Sequence, residues 1–272
     1  DEVMSNTDGL ISPDIQQSFD DGHIRFNMVE TDEGTAAYAY MPSSSDIGGD
    51  VFLGHDVGTD TESGNVEPYG VGRTDIIHEL GHALGLTHPF EGVSVLPDEK
   101  DHSANTVMSY TDYRIKVPEF TNTETGTASS VEVEYAMVAP DRFMPYDIAA
   151  LQAVYGPDTD YHASGDTYSF GEDIFYTTIW DAGGHDTLDL KATDHYNVID
   201  LTPGGHSDIN YRDVETQITD QQEAYRQQLG TDYYDDWVAE VFNNISKDLY
   251  TGEKALGIAY GMGFHVHGVG PR

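Results

Sequence analysis

The stretch HELGHALGLTHP, residues 78–89, decides how the chain is read, because its three histidines are spaced for one task. His78 and His82 lie four apart in a segment where Ile76, Ile77, Leu80, Ala83 and Leu84 recur at helical period. Both imidazoles therefore project from one helix face, one turn apart. Gly85 ends the helix in a sharp turn and brings His88 back towards the other two. Zinc takes imidazole nitrogen at about 2.0–2.1 Å, and three protein ligands leave one position open, the pattern of a catalytic site. Glu79 sits beside the first ligand, where its carboxylate reaches an attacking water without occupying the metal. HExxH alone also describes a buried helix with hydrogen-bonded histidines. The extended HExxHxxGxxH disfavours that reading, since each added fixed position has a geometric task.

This stretch resembles the metzincin zinc endopeptidases, and Pro89 directly after the third histidine resembles their serralysin branch. VMSY, residues 107–110, agrees: Met108 matches the Met-turn and Tyr110 the tyrosine beside the zinc. GTAAYAYMP…GGDVFL is similar to the family's upper-rim edge strand and the strand after it. PYDIAALQAVYG is similar to the helix after the Met-turn, and SGDTYSF…WDAGGHDTLDL to the entry into the calcium-binding roll. The likeness spans 23 to 205. It implies an α+β fold: a metzincin-like catalytic domain, with a twisted sheet, active-site helix and Met-turn, then a short β-rich region like a calcium-binding roll. It also implies a secreted, extracellular bacterial enzyme that cleaves protein or peptide substrates. In that chemistry Glu79 is the general base and Tyr110 steadies the oxyanion and is an extra zinc ligand. Met108 floors the imidazoles, and the edge strand Ala37, Tyr38, Ala39 and Tyr40 pairs with an extended substrate.

Composition sets outer bounds. The 272 residues include 12 Lys plus Arg against 49 Asp plus Glu, a net charge of −37. So acidic a surface repels nucleic acid and anionic membrane. Salt adaptation together with some calcium ligation accounts for it best. Cysteine is absent, which excludes disulfides and thiolate metal sites. No apolar run approaches a membrane span, so membrane insertion is not expected.

Along the chain, Ser12 and Pro13 predict a short helix over 12–19. Alternation predicts strands over 23–29, with Ile24, Phe26 and Met28 on one face, and over 36–41 and 50–54. The active-site helix runs over 74–85 with Thr74 as cap, and Pro145 and Gly156 bound a helix over 144–156. Residues 88–140 read as mostly irregular. A boundary near Pro157 gives a catalytic domain over 1–157 and a β-rich region over 158–272, with strands in DTYSF, FYTTIW, DTLDL and YNVIDL. Within it, Trp237, Val241, Ile245 and Leu249 mark an amphipathic helical insert over about 217–250, expected to dock on the sheet.

The resemblance also implies a calcium site. Asp181, Gly183, Gly184 and Asp186 match its turn, and Gly165 and Thr167 match the opposing ligands; an ordinary glycine-rich hairpin is the plainer reading. Three features depart from the family. No run of glycine-rich nonapeptides follows, so the roll is truncated. His265 stands where an acidic ligand of a second calcium site is expected, and with His267 it forms an incidental surface pair. The family's first long helix and opening strand have little room before residue 20, and the insert has no counterpart. The expectation is therefore a zinc endopeptidase that also binds calcium. The alternative is a non-enzymatic binding or structural component of a larger assembly built on the same fold. A calcium-dependent adhesion module leaves the histidines unexplained. Composition does not fix the oligomeric state.

Overall fold

The computed structural model of the chain describes residues 2–18, 22–32, 35–59, 64–67, 70–111, 114–122, 129–170, 176–201, 207–211, 213–249 and 263–264. Helices and small sheets are mixed, an α+β arrangement. In chain order, α1 (Glu2–Asp8) precedes three strands, β1 (Phe26–Val29), β2 (Ala37–Ala39) and β3 (Val51–Gly54). Next come α2 (Val71–Ala83), the hairpin β4 (Arg114–Asn122) and β5 (Ser129–Met137), and α3 (Pro145–Tyr155). The remainder holds β6 (Thr167–Ser169), β7 (Thr187–Asp189), β8 (Tyr196–Val198), β9 (Ser207–Tyr211), α4 (Val214–Leu229), α5 (Asp235–Leu249) and β10 (Gly263–Phe264).

The first sheet has the order β1-β3-β2, with β1 parallel and β2 antiparallel to β3. Val51 and Leu53 of β3 pack with Val57 and with Ala83 of α2, while Ala37, Ala39 and Ile76 lie against them. The small residues of β2 thus let α2 approach the sheet closely. The main apolar cluster lies on the other side of α2. There Ile77 and Leu80 meet Met108, Phe143, Met144, Ile148 and Leu151, all nearly inaccessible to solvent.

Several expectations change. Residues 12–18 are not helical; the helix lies earlier, at α1. Ser12 does not cap, because its N–H donates to Gly156 O at 2.9 Å and its hydroxyl to Pro157 O at 2.8 Å. Thr74 lies inside α2, whose N-cap is Gly70; its hydroxyl donates to Gly70 O and Pro140 O. Phe26 and Met28 share a face as expected, but they are exposed, because α2 covers β2 and β3 rather than β1. The stretch read as irregular contains the nine-residue pairing of β4 with β5. Of FYTTIW, the described residues 176–180 form no strand, and Tyr176 makes an isolated bridge to Pro140. The insert is two helices, since Gly230 adopts φ 67 and closes α4 before α5 begins. Tyr225, Val238 and Phe242 bury their side chains in the main apolar cluster, and α5 also contacts strand β4. His265 and His267 lie outside the described residues.

Candidate active site

Histidine geometry follows from helix period and one turn. His78 and His82 sit on successive turns of α2. After Ala83 the chain leaves the helix through Leu84 and Gly85, whose φ is +101, and Leu86 N–H bonds back to Gly81 O at 2.9 Å. That turn returns His88. Its Nε2 lies 3.2 Å from Nε2 of His78 and 3.1 Å from Nε2 of His82. Three nitrogens on a tetrahedral ion at 2.0–2.1 Å are about 3.3–3.4 Å apart, so the spacing suits one zinc. The far nitrogens of two rings are fixed by backbone carbonyls: His78 Nδ1 by Val107 O at 2.7 Å, and His82 Nδ1 by Leu86 O at 2.9 Å. Each contact protonates Nδ1 and turns the Nε2 lone pair to the centre. Burial lowers the His78 pKa to about 4 and lowers that of His82, with the neighbouring imidazoles adding to both, so these rings are neutral at pH 7. Neutral imidazole is the form a metal needs.

Glu79 is buried, and its Oε2 has no hydrogen-bond partner among the described residues. Burial raises its pKa to about 7, the charge of Asp75 adds to this, and a hydrogen bond from the Ala39 backbone opposes it. That bond ties the carboxylate to β2. Among the described residues β2 is an edge of the sheet, and Tyr38 on it and Tyr40 just after it are exposed. Tyr110 is exposed, with its ring 5.7 Å from His78 and 4.6 Å from His88. Its pKa is raised by partial burial and then by Glu79 and Glu91. Met108 lies buried, touching α2 rather than offering its sulfur to solvent.

Two supporting residues went unread in the sequence. Asp147, fully enclosed at the start of α3, accepts Thr106 Oγ1 at 2.5 Å, Val107 N–H at 2.8 Å and Met144 N–H at 2.9 Å. It fastens α3 to the turn that carries Met108 and the Val107 carbonyl. Burial raises its pKa to about 6, against these three donors. The only sequence signal is an acidic residue three positions after a helix cap, which by itself reads as local capping. Phe90 stacks on His88 at 5.0 Å with rings 5° apart; its place beside the third histidine was the available clue.

The predicted calcium residues also come together. Side-chain oxygens of Asp166, Asp181 and Asp186 lie within 4.8 Å of one another. Gly165 and Thr167 flank Asp166, and β6 pairs parallel with β7. Asp181 Oδ1 accepts Gly183 N–H at 2.8 Å, Asp181 Oδ2 accepts the Tyr168 hydroxyl at 2.7 Å, and Asp186 Oδ1 accepts Asp166 N–H at 3.0 Å. A Cβ on Gly184 would fall 1.7 Å from Ser164 O, so only glycine fits this approach. Asp166 is the member absent from the expected set.

No protein-family model matches the chain. Curated proteins do. Serralysin of Proteus mirabilis is 31% identical over 236 residues, which is 76% of this chain and 43% of that protein. Serralysin C of Dickeya chrysanthemi is 30% identical over 202 residues, 65% of this chain and 38% of that protein. Metallopeptidase AprA of Pseudomonas marginalis is 30% identical over 213 residues, 70% of this chain and 42% of that protein. The chain thus spans less than half the length of the curated relatives it matches. Over 65–76% of its length, this chain is a homologue of the serralysin-type metalloproteases.

Proposed function

We propose that the chain is a zinc-dependent endopeptidase that hydrolyses peptide bonds in extended protein substrates. The observation that carries this reading is the convergence of His78, His82 and His88 Nε2 atoms at 3.1–3.2 Å beside a buried carboxylate oxygen without a partner. An all-imidazole donor set with one open side suits zinc and poorly suits calcium or magnesium, which prefer oxygen. Zinc held there supplies a Lewis acid that lowers the pKa of water towards neutrality and polarises the scissile carbonyl.

The chain's own groups do the rest. Glu79 Oε2 accepts the proton of the attacking water, and the protonated carboxyl then delivers it to the leaving amine. The Tyr110 hydroxyl donates to the oxyanion. Ala37, Tyr38, Ala39 and Tyr40 present main-chain groups to an extended peptide, so binding is largely independent of sequence while side-chain pockets set preference. Met108 and Gly85 act through position alone, one beneath the imidazoles and the other turning His88 inward.

The same reading assigns residues 1–157 to a metzincin-like catalytic domain and 158–272 to a β-rich, roll-like region with a helical insert. Calcium would be held by Asp181 and Asp186 with Gly165, Thr167, Gly183 and Gly184 supplying carbonyls, and the protein would act outside a bacterial cell. Casein hydrolysis tests the enzymatic claim. Wild-type cleavage should stop with a zinc chelator and return with zinc. Glu79→Gln should lower kcat/KM by about 10²–10⁴-fold, the span of general-base catalysis, with bound zinc unchanged. Equal cleavage by the variant would remove Glu79 from the mechanism.

A further inference from the structure

The three histidines are not held alike. His78 and His82 each give Nδ1 to a backbone carbonyl, Val107 O and Leu86 O. His88 enters from a loop, and its Nδ1 is buried without a hydrogen bond. The nearest acidic group is Glu91, whose Oε1 stands 3.2 Å from that nitrogen. The pairing is prepared by the backbone, because Glu91 N–H bonds to His88 O at 3.2 Å and folds the segment into a turn. Phe90, stacked on the His88 ring, leaves it little freedom to tilt. A small rotation of the Glu91 side chain completes the contact.

We propose that Glu91 is the positioning residue for the third ligand: its carboxylate accepts the His88 Nδ1–H, fixes the tautomer and aims Nε2 at the metal. The inference rests on the proposed zinc reading. A hydrogen bond to a carboxylate in this place would hold the ring's orientation more strongly than one to a neutral backbone carbonyl. A surface ion pair alone would be the lesser role, since more than half of the Glu91 side chain is exposed.

Zinc affinity, measured by competition with a chelating dye, separates the two, together with the urea midpoint of the metal-free protein. Glu91→Ala should weaken zinc binding about 10–100-fold, the usual cost of losing an outer partner of a metal ligand. Glu91→Gln keeps an acceptor without the charge and should fall between Ala and wild type. The metal-free midpoint should stay unchanged in both, and the visible spectrum of the cobalt-substituted Glu91→Ala protein should shift from that of wild type. Wild-type affinity in Glu91→Ala would overturn the proposal while leaving the zinc site intact. Weaker binding accompanied by an equally lowered metal-free midpoint would reduce Glu91 to a structural contact. No zinc binding by wild type would overturn the site reading itself.

Discussion

At the scale of single residues, the proposed chemistry depends on a carboxylate that must be ionised to accept a proton. Burial, then Asp75, lifts the Glu79 pKa to about 7. In the proposed mechanism the protonated form is inactive as a base, so kcat/KM should fall as pH drops through the pKa of this carboxyl in the metal-loaded protein. Zinc held by the three histidines would favour the ionised form, so the proposed acid limb should lie below 7. Asp75→Asn removes a neighbouring negative charge and should move the limb to still lower pH; an upward move or none would contradict the assigned cause. The convergence of His78, His82 and His88 was legible because spacing along one helix and one turn encodes it. Asp147 was not, since two of its three partners, Thr106 and Val107, lie 41 and 40 positions away. No local pattern announces a contact made by folding.

Between elements, the close approach of α2 to the Met108 turn is set by a missing side chain. A Cβ on Gly81 would lie 2.6 Å from Met108 Sδ and 3.3 Å from Phe143, and both neighbours are about 1% exposed. Helix propensity alone favours alanine here by about 1 kcal/mol. Overpacking typically costs about 1–3 kcal/mol, so Gly81→Ala should lower the unfolding free energy by about 1 kcal/mol in urea denaturation. A net gain in stability would show that the Met-turn yields freely. Helices α2 and α3 were readable because apolar period and flanking Gly and Pro agree. The β4–β5 hairpin was missed where Pro118, which donates no ladder hydrogen bond, interrupts the alternation of Ile115 and Val117. The helix expected at 12–19 failed for another reason: Ser12 meets Gly156 and Pro157, remote in sequence, and serves as a tether.

Over the whole molecule, charge is the dominant feature. A net of −37 opposes compaction wherever salt fails to screen it. The screening length falls from about 30 Å at 0.01 M to about 3 Å at 1 M. The thermal midpoint should therefore rise by several degrees between these potassium chloride concentrations, and a flat or falling midpoint would rule out salt adaptation as the source of the acidity. The central claim is narrower: three imidazoles meet one ion, and one side is left for substrate and water. X-ray absorption at the zinc edge of the zinc-loaded protein counts those ligands directly. Three imidazole nitrogens at about 2.0–2.1 Å with at least one further oxygen neighbour are the predicted result. Two imidazoles or fewer, or a shell closed by four protein ligands, would contradict the account.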